Sequence, residues 1–116
     1  MPFTKGEIVS FSFQMPDGSG WVPHSGVILS CDDVYTHDKC YVCAMLSSNG
    51  VNDLFSFHLY DTDLEQPSNK ANSQVRCHLI TYCIESDLQT SKPFNKLKKQ
   101  AFERLIAKIN DAVFDV

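Results

Sequence analysis

The segment Ser73-Gln74-Val75-Arg76-Cys77-His78 carries residue types suited to chemistry on a phosphodiester. It alternates like a β-strand, so Arg76 and His78 are expected on the same face of a sheet. The guanidinium of Arg76 is always charged and can hold a phosphate through a planar fork, and the imidazole of His78 can exchange a proton near neutral pH. The pattern therefore favours phosphodiester chemistry at this pair. A salt bridge from Arg76 to an acidic residue and a purely structural His78 are the alternatives.

The elements that must position these residues are mostly short strands. Alternating apolar residues predict strands at Glu7–Phe13, Gly26–Cys31, Cys40–Leu46 and Asp53–Tyr60, and one bent strand or two short ones at Ser73–Ile84. A glycine-rich loop at Met15–Gly20 leads through Trp21–Ser25 into the second strand. The Asp32–Lys39 and Asp61–Asn72 segments are expected as loops, and Asn95–Phe114 has the apolar spacing of a helix.

This order of elements predicts a mainly β fold that ends in a C-terminal helix. Five or six short strands closed by one amphipathic helix are typical of a small, partly open β-barrel packed on a helix. With 116 residues, the chain is expected to form a single domain over residues 1–116.

Composition narrows the classes of function. The chain is 43% hydrophobic and lacks both an apolar run that would span a membrane and the apolar core of a signal peptide, so a cytoplasmic protein without membrane contact is expected. The net charge is −4, with six of the ten basic residues from Lys92 onward. Nucleic-acid binding driven by bulk charge is therefore disfavoured, and any such recognition would need a local site.

The five cysteines do not form an obvious framework. Their odd number argues against a complete set of disulfides. Cys40 and Cys43 have the spacing of a zinc knuckle, but in a strand these positions face opposite sides. Buried free thiols are favoured over a metal site, and the sequence predicts neither a metal nor another cofactor.

Five segments occur in the order found in the MazF/PemK/Kid family of toxin endoribonucleases. They are KGEIV at 5–9, similar to the family's KGDIV; HSGVILS at 24–30, similar to RPALVLS; VCAMLSS at 42–48, similar to VVAPITS; SQVRCH at 73–78, similar to VVRCDQ; and NKL at 95–97, similar to GKL. The chain departs from the family where His24 replaces a loop arginine, Ser25 a proline and His78 an acidic residue.

The resemblance implies an SH3-like, MazF/CcdB-like barrel that forms a homodimer and cuts single-stranded RNA selectively without a metal. The ribose 2′-hydroxyl would attack its own phosphate, leaving a cyclic phosphate and a free 5′-hydroxyl. A cognate antitoxin, whose extended tail fills the RNA groove, is the implied protein partner.

Cleavage of this kind needs a base, an acid and a positive group at the phosphate. Arg76, His78 and His24 are the candidate catalytic residues, although His24 could be a plain loop residue. Ser47 and Ser48 could orient the phosphate through their hydroxyls or could simply form a turn. Trp21, the single tryptophan, could stack on an unpaired base or lie partly in the core.

A different class of function remains open. The departures from the family and the acidic body are also compatible with a non-catalytic toxin homologue, or with a CcdB-like poison that binds gyrase.

Overall fold

The computed structural model describes residues 2–68 and 72–115, in which six antiparallel strands form one sheet. The strands are β1 (Glu7–Gln14), β2 (Trp21–Ile28), β3 (Cys40–Ser47), β4 (Ser56–His58), β5 (Gln74–Ile84) and β6 (Asn95–Lys96). The helices are α1 (Asp32–Asp38) and α2 (Lys99–Ile109), and a π-helical turn (Asn110–Phe114) continues α2. Short 3-10 turns lie at Asp61–Asp63 and Glu85–Asp87.

The strand order is β4-β5-β3-β2-β1-β6, with β4 and β6 as the edges of the described sheet. The sheet is not closed, and α2 packs on it at the C-terminal end of the chain. The prediction of a mainly β, partly open barrel with a C-terminal helix is therefore confirmed.

Apolar side chains fill both faces of the sheet because residues along each strand point alternately to opposite sides. On one face, which we call the helix-side core, the sheet packs against α2; its fully buried members include Val27, Ala44, Val75, Cys77 and Leu105. The opposite face, the second core, includes Val9, Phe11, Ile28, Tyr41, Cys43 and Cys83. Burial of a side chain as large as Leu105 is worth about 1.5–3 kcal/mol in transfer free energy.

The predicted helix at Asn95–Phe114 is wrong in its first turn, because α2 begins at Lys99. Asn95 and Lys96 pair with β1 instead. The amide of Leu97 donates to the carbonyl of Gly6 at 2.8 Å, and the amide of Lys98 donates to that of Asp63 at 2.9 Å. These backbone groups are engaged in long-range bonds, so the helix starts after them.

The predicted strand at Asp53–Tyr60 shrinks to Ser56–His58. Asp53 accepts hydrogen bonds from Phe55 N through its side chain, at 3.0 Å, and from Ser56 N through its carbonyl, at 3.2 Å. A short polar side chain that bonds to nearby backbone in this way competes with strand pairing.

Two further boundaries of the sequence interpretation are also wrong. The segment predicted as the loop Asp32–Lys39 contains α1, whose first turn carries two aspartates that favour a helix N-terminus. Lys39, at φ 55°, ends this helix. The second strand is Trp21–Ile28 rather than Gly26–Cys31, because Trp21–Ser25 pair with β1 in a long hairpin.

The β1–β2 hairpin separates from the sheet along its outer half. Strands β1 and β2 pair from Ile8 and Val27 out to Gln14 and Trp21. By contrast, β2 and β3 pair only from Ile28 and Cys43 to Gly26 and Met45. The outer part of β2 therefore diverges from β3.

Strand β5 is bent at the segment that carries Arg76 and His78. It pairs with β3 in two registers, and Arg76–Leu79 lie between the pair Ala44–Ile80 and the pair Leu46–Val75. Val75 and Cys77 belong to the helix-side core, whereas Leu79 packs against the second core. Regular alternation, on which the same-face prediction for Arg76 and His78 depended, is interrupted here.

Cys43 and Cys83 lie side by side in the second core, with their sulfurs 3.6 Å apart as free thiols. Within residues 2–68 and 72–115, no group of three or more His, Cys, Asp or Glu side chains is arranged to hold a metal ion. The helices in these same residues are too short and too polar to cross a membrane.

Candidate functional site

Two depressions lie beside the outer half of the hairpin, where β2 no longer pairs with β3, and together we call them the hairpin cleft. A depression of about 240 Å³ in this cleft is lined by Trp21 and Phe13 from the hairpin and by Met45, His78 and Thr81 from the sheet. A second depression, of about 120 Å³, is lined by His24 and Ser25 on β2 and by Ser47, Ser48 and Ser73. The second depression shares His24, Ser25, Leu46 and Ser73 with a groove of about 650 Å³.

Trp21 and His78 share the first depression. Trp21 is 64% exposed, so the core location considered for it does not occur. His78 is exposed, and its ring lies on that of Phe55 with centroids 4.3 Å apart and planes 31° apart. Partial burial, together with the positive charge of Arg76, lowers the pKa of His78, and Asp53 opposes this shift. His78 is thus held mainly in its neutral form near pH 7, in which an imidazole can accept a proton.

His24, Ser47 and Ser48 meet in the second depression. His24 is half-buried, and its ring makes an edge contact with Phe13, centroid to centroid 6.5 Å. Ser47 Oγ accepts from the amide of Asn49 at 3.4 Å, so this hydroxyl also takes part in the turn. Phe13 lines the first depression and its ring contacts that of His24, which lines the second, although the two depressions share none of their described lining residues.

Arg76 lies apart from both depressions, in a buried polar network. Its Nη1 donates to Asp53 Oδ1 at 3.0 Å, Ser56 Oγ at 3.0 Å and Gln74 Oε1 at 2.8 Å, and its Nη2 donates to Asp53 Oδ2 at 2.8 Å. This bidentate pair lowers the pKa of Asp53 to about 2. The salt bridge considered from the sequence is therefore present, and it occupies the guanidinium for which a phosphate contact was predicted.

Four residues near the site were not predicted from the sequence: Asp53, Phe55, Ser56 and Gln74. Gln74 could have been found, because it stands two residues before Arg76 on an expected strand. Asp53 is 23 residues from Arg76, and nothing local distinguishes it from the other acidic residues.

No protein-family model matches this sequence, and no curated protein matches it. Several solved structures do match this chain. A chain of the MazE–MazF crystal structure from Deinococcus radiodurans is 10% identical with a TM-score of 0.73, and the match covers 98% of both chains. A mycobacterial endoribonuclease in complex with its cognate antitoxin is 12% identical with a TM-score of 0.69, covering 97% of this chain and 96% of that one.

The Mycobacterium tuberculosis toxin MazF-mt6 is 18% identical with a TM-score of 0.68, over 95% of this chain and 97% of the toxin. At these identities the similarity shows the fold. The resemblance drawn from five short segments is thus confirmed as a likeness in fold along nearly the whole chain.

Proposed function

We propose that this chain, which has the fold of MazF toxins, is an endoribonuclease of a toxin–antitoxin pair that cuts single-stranded RNA. The observation that carries the proposal is the hairpin cleft: an exposed tryptophan and one histidine line one depression beside the hairpin, and a second histidine and a pair of serines line the other. The net charge of −4 makes such a local site necessary, because bulk electrostatic attraction is absent.

His78 and His24 are the proposed proton-transfer groups. The ribose 2′-oxygen attacks the phosphorus while its proton passes to a base, and the bond to the 5′-oxygen breaks as that oxygen takes a proton from an acid. His78, held neutral by its lowered pKa, suits the base. His24 is the candidate for the acid. The products are a cyclic phosphate and a 5′-hydroxyl end, and no metal is required.

The other residues of the hairpin cleft would bind the substrate. Trp21 presents an exposed ring on which an unpaired base can stack, worth about 1–3 kcal/mol per base. Ser47 and Ser48, which line the second depression, would donate hydroxyl hydrogen bonds to phosphate oxygens. Contacts of the cleft with the bases would make cleavage sequence-selective.

The structural neighbours support an antitoxin as the protein partner. Two of them were solved as complexes, one of MazE with MazF and one of an endoribonuclease with its cognate antitoxin. We propose that this chain is likewise held inactive by an antitoxin. We also propose that it acts in the cytoplasm as a homodimer.

The test is incubation of a long single-stranded RNA with the protein in EDTA, followed by analysis of the fragment ends. Discrete fragments with cyclic-phosphate and 5′-hydroxyl ends are expected. His78→Ala should lower the cleavage rate by about 10²-fold or more with little change in RNA affinity, since a proton-transfer group acts mainly in the transition state. His37→Ala, an exposed histidine on α1 outside the cleft, is the matched control.

A non-catalytic toxin homologue is the second candidate. It is favoured by the pairing of Arg76 with Asp53, which occupies the guanidinium fork. Intact RNA in the same assay would support this candidate and refute the nuclease. If a stalled gyrase complex also formed, the protein would be a gyrase poison.

A further inference from the structure

We propose that Arg76 and Asp53 are positioning residues that hold Phe55 beneath the ring of His78, and that Arg76 does not contact the RNA phosphate. The inference deepens the proposed function and rests on it, because it assigns how the base of that reaction is held. It follows from a chain of contacts that begins at the guanidinium and ends at the imidazole.

The first link is the closed fork of Arg76. Both terminal nitrogens donate to the carboxylate of Asp53, and Nη1 also donates to Ser56 and Gln74. The side chain of Arg76 is 11% exposed and that of Asp53 is 42% exposed. A phosphate that approached the guanidinium would have to break a bidentate, charge-assisted pair. It would also meet the carboxylate of Asp53, which repels it.

The second link is the loop that leads into β4. Asp53 Oδ1, besides accepting from Arg76, accepts from the amide of Phe55 at 3.0 Å. The carbonyl of Phe55 accepts from the amide of Cys77 on β5, also at 3.0 Å. Phe55 is therefore held through its amide by the Arg76–Asp53 pair and through its carbonyl by the residue that follows Arg76.

The third link is the ring stack itself. Phe55 and His78 lie with centroids 4.3 Å apart, so the phenyl ring covers one face of the imidazole and leaves the rest of it exposed. The charged groups that act on His78 among the described residues are Arg76 and Asp53, with opposite effects on its pKa. The remaining residues that line its depression are uncharged, such as Thr81 on β5 and Trp21 on β2. The stack is thus the contact through which the pair orients the base.

The first experiment needs no RNA. The ring protons of His78 are followed by NMR as a function of pH in the wild type and in Phe55→Leu, which removes the aromatic ring but keeps an apolar side chain. The pKa of His78 should rise in the variant toward its ordinary value near 6.5. Leu54→Ala, at an exposed neighbouring position, is the control and should leave it unchanged. An unchanged pKa in Phe55→Leu would overturn the positioning role of the stack.

The second experiment separates positioning from phosphate contact. Binding of a single-stranded 2′-O-methyl RNA, which lacks the attacking hydroxyl, is measured against salt concentration for the wild type and Arg76→Gln. A positioning role predicts the same salt slope and an affinity changed by less than about twofold, whereas a lost phosphate contact would reduce the slope by about one. The smaller slope would overturn the proposal.

Asp53→Ala removes the acceptor for the amide of Phe55, gives a result of opposite sign for the two roles and leaves Arg76 in place. If Asp53 positions Phe55, cleavage of unmodified RNA falls by about tenfold or more. If Asp53 merely blocks a catalytic guanidinium, cleavage rises, and the proposal is wrong. Should the wild type not cut RNA at all, the proposed function fails, and the NMR titration still decides whether Phe55 sets the state of His78.

Discussion

His78 differs from an ordinary surface histidine because one face of its ring rests on Phe55. Partial burial lowers the pKa of His78 from the usual value of 6.5, and the nearby guanidinium of Arg76 adds to this shift. A neutral imidazole at pH 7 suits a base, whereas a protonated one would suit an acid. If His78 is the base, the cleavage rate should therefore depend on pH.

On the acid side, the cleavage rate should rise with pH and reach half its maximum below about pH 6.5, because only deprotonated His78 can accept the 2′-hydroxyl proton. A general acid must be protonated to act, so a decline of the rate at higher pH is compatible with the mechanism. Asp53, with its pKa near 2, stays ionised over this range and adds no step. Single-turnover rates at saturating RNA, measured between about pH 5 and pH 8, test this. A rise whose midpoint lies above pH 6.5, or a rise that is unchanged in His78→Gln, would assign acceptance of the 2′-hydroxyl proton to another group.

For individual residues, the sequence indicated which side chains are candidates for the site better than it indicated which groups they contact. Arg76 and His78 stand out because a permanent charge and a titratable ring occur two residues apart on an alternating segment. The partner of Arg76 could not be found in the same way, since Asp53 meets it only after β4 and β5 have paired. The bend at Arg76–Leu79 likewise depends on how two strands fit a third, which no local pattern encodes.

Among the elements, the β1–β2 hairpin decides the shape of the hairpin cleft. Gly26 sits where the hairpin leaves β3 and lies next to two aromatic rings of the second core. A Cβ atom at this position would come within 2.6 Å of Phe11 Cε1 and 3.0 Å of Phe13 Cζ. Phe13 in turn contacts His24, so the packing at Gly26 extends to the cleft.

Gly26→Ala should lower the free energy of unfolding by about 1–3 kcal/mol, because the buried rings of Phe11 and Phe13 have little room to move. Urea unfolding monitored by circular dichroism measures the change. Ser25→Ala, at the adjacent half-buried position, should stay within about 0.5 kcal/mol of the wild type. Equal stability of the two variants would mean that the rings relax away from the new methyl group.

The glycine-rich loop at the tip of the hairpin is expected to be mobile in the free protein. Gly18 and Gly20 have φ values of +81° and +107°, which favour glycine. Amides at Asp17–Gly20 should exchange with solvent quickly in the free protein and more slowly with bound RNA or antitoxin, measured by hydrogen exchange. Val9 and Phe11 in the centre of β1 are the slow reference. Slow exchange at the loop before any ligand is added would contradict the expected mobility.

The strands and helices were largely predictable where a regular spacing of apolar residues extends over a long segment. Strands β1, β3 and β5 and most of α2 follow from alternation or helical spacing. The misses occur where a side chain or a long-range bond competes with the local pattern, as at Asp53 and at Leu97. The short helix α1 was not predicted because none of its residues is buried, so its sequence lacks the helical spacing of apolar residues on which the prediction depends.

In the molecule as a whole, the apolar residues of the sheet are divided between two small cores, one on each face. Several large apolar side chains remain exposed: Trp21, Leu54, Tyr60, Tyr82, Phe94 and Phe114. A small domain with a limited core gains stability and a larger binding surface by pairing. The family resemblance implies the same arrangement.

We therefore expect a homodimer. Sedimentation at tens of micromolar should give a species of twice the mass of one chain, and dilution should show its dissociation. A monomer throughout that range would contradict the prediction, and the RNA site would then have to be complete within a single chain.

The buried thiols of this protein can report when each of its two cores opens to solvent. Cys77 belongs to the helix-side core, whereas Cys43 and Cys83 touch each other in the second core, and Cys31 is exposed. An alkylating reagent will label Cys31 at once, but it will reach the other three only when the core that encloses them opens. Mass spectrometry of the labelled positions can therefore time the loosening of the two faces of the sheet separately, without any introduced probe.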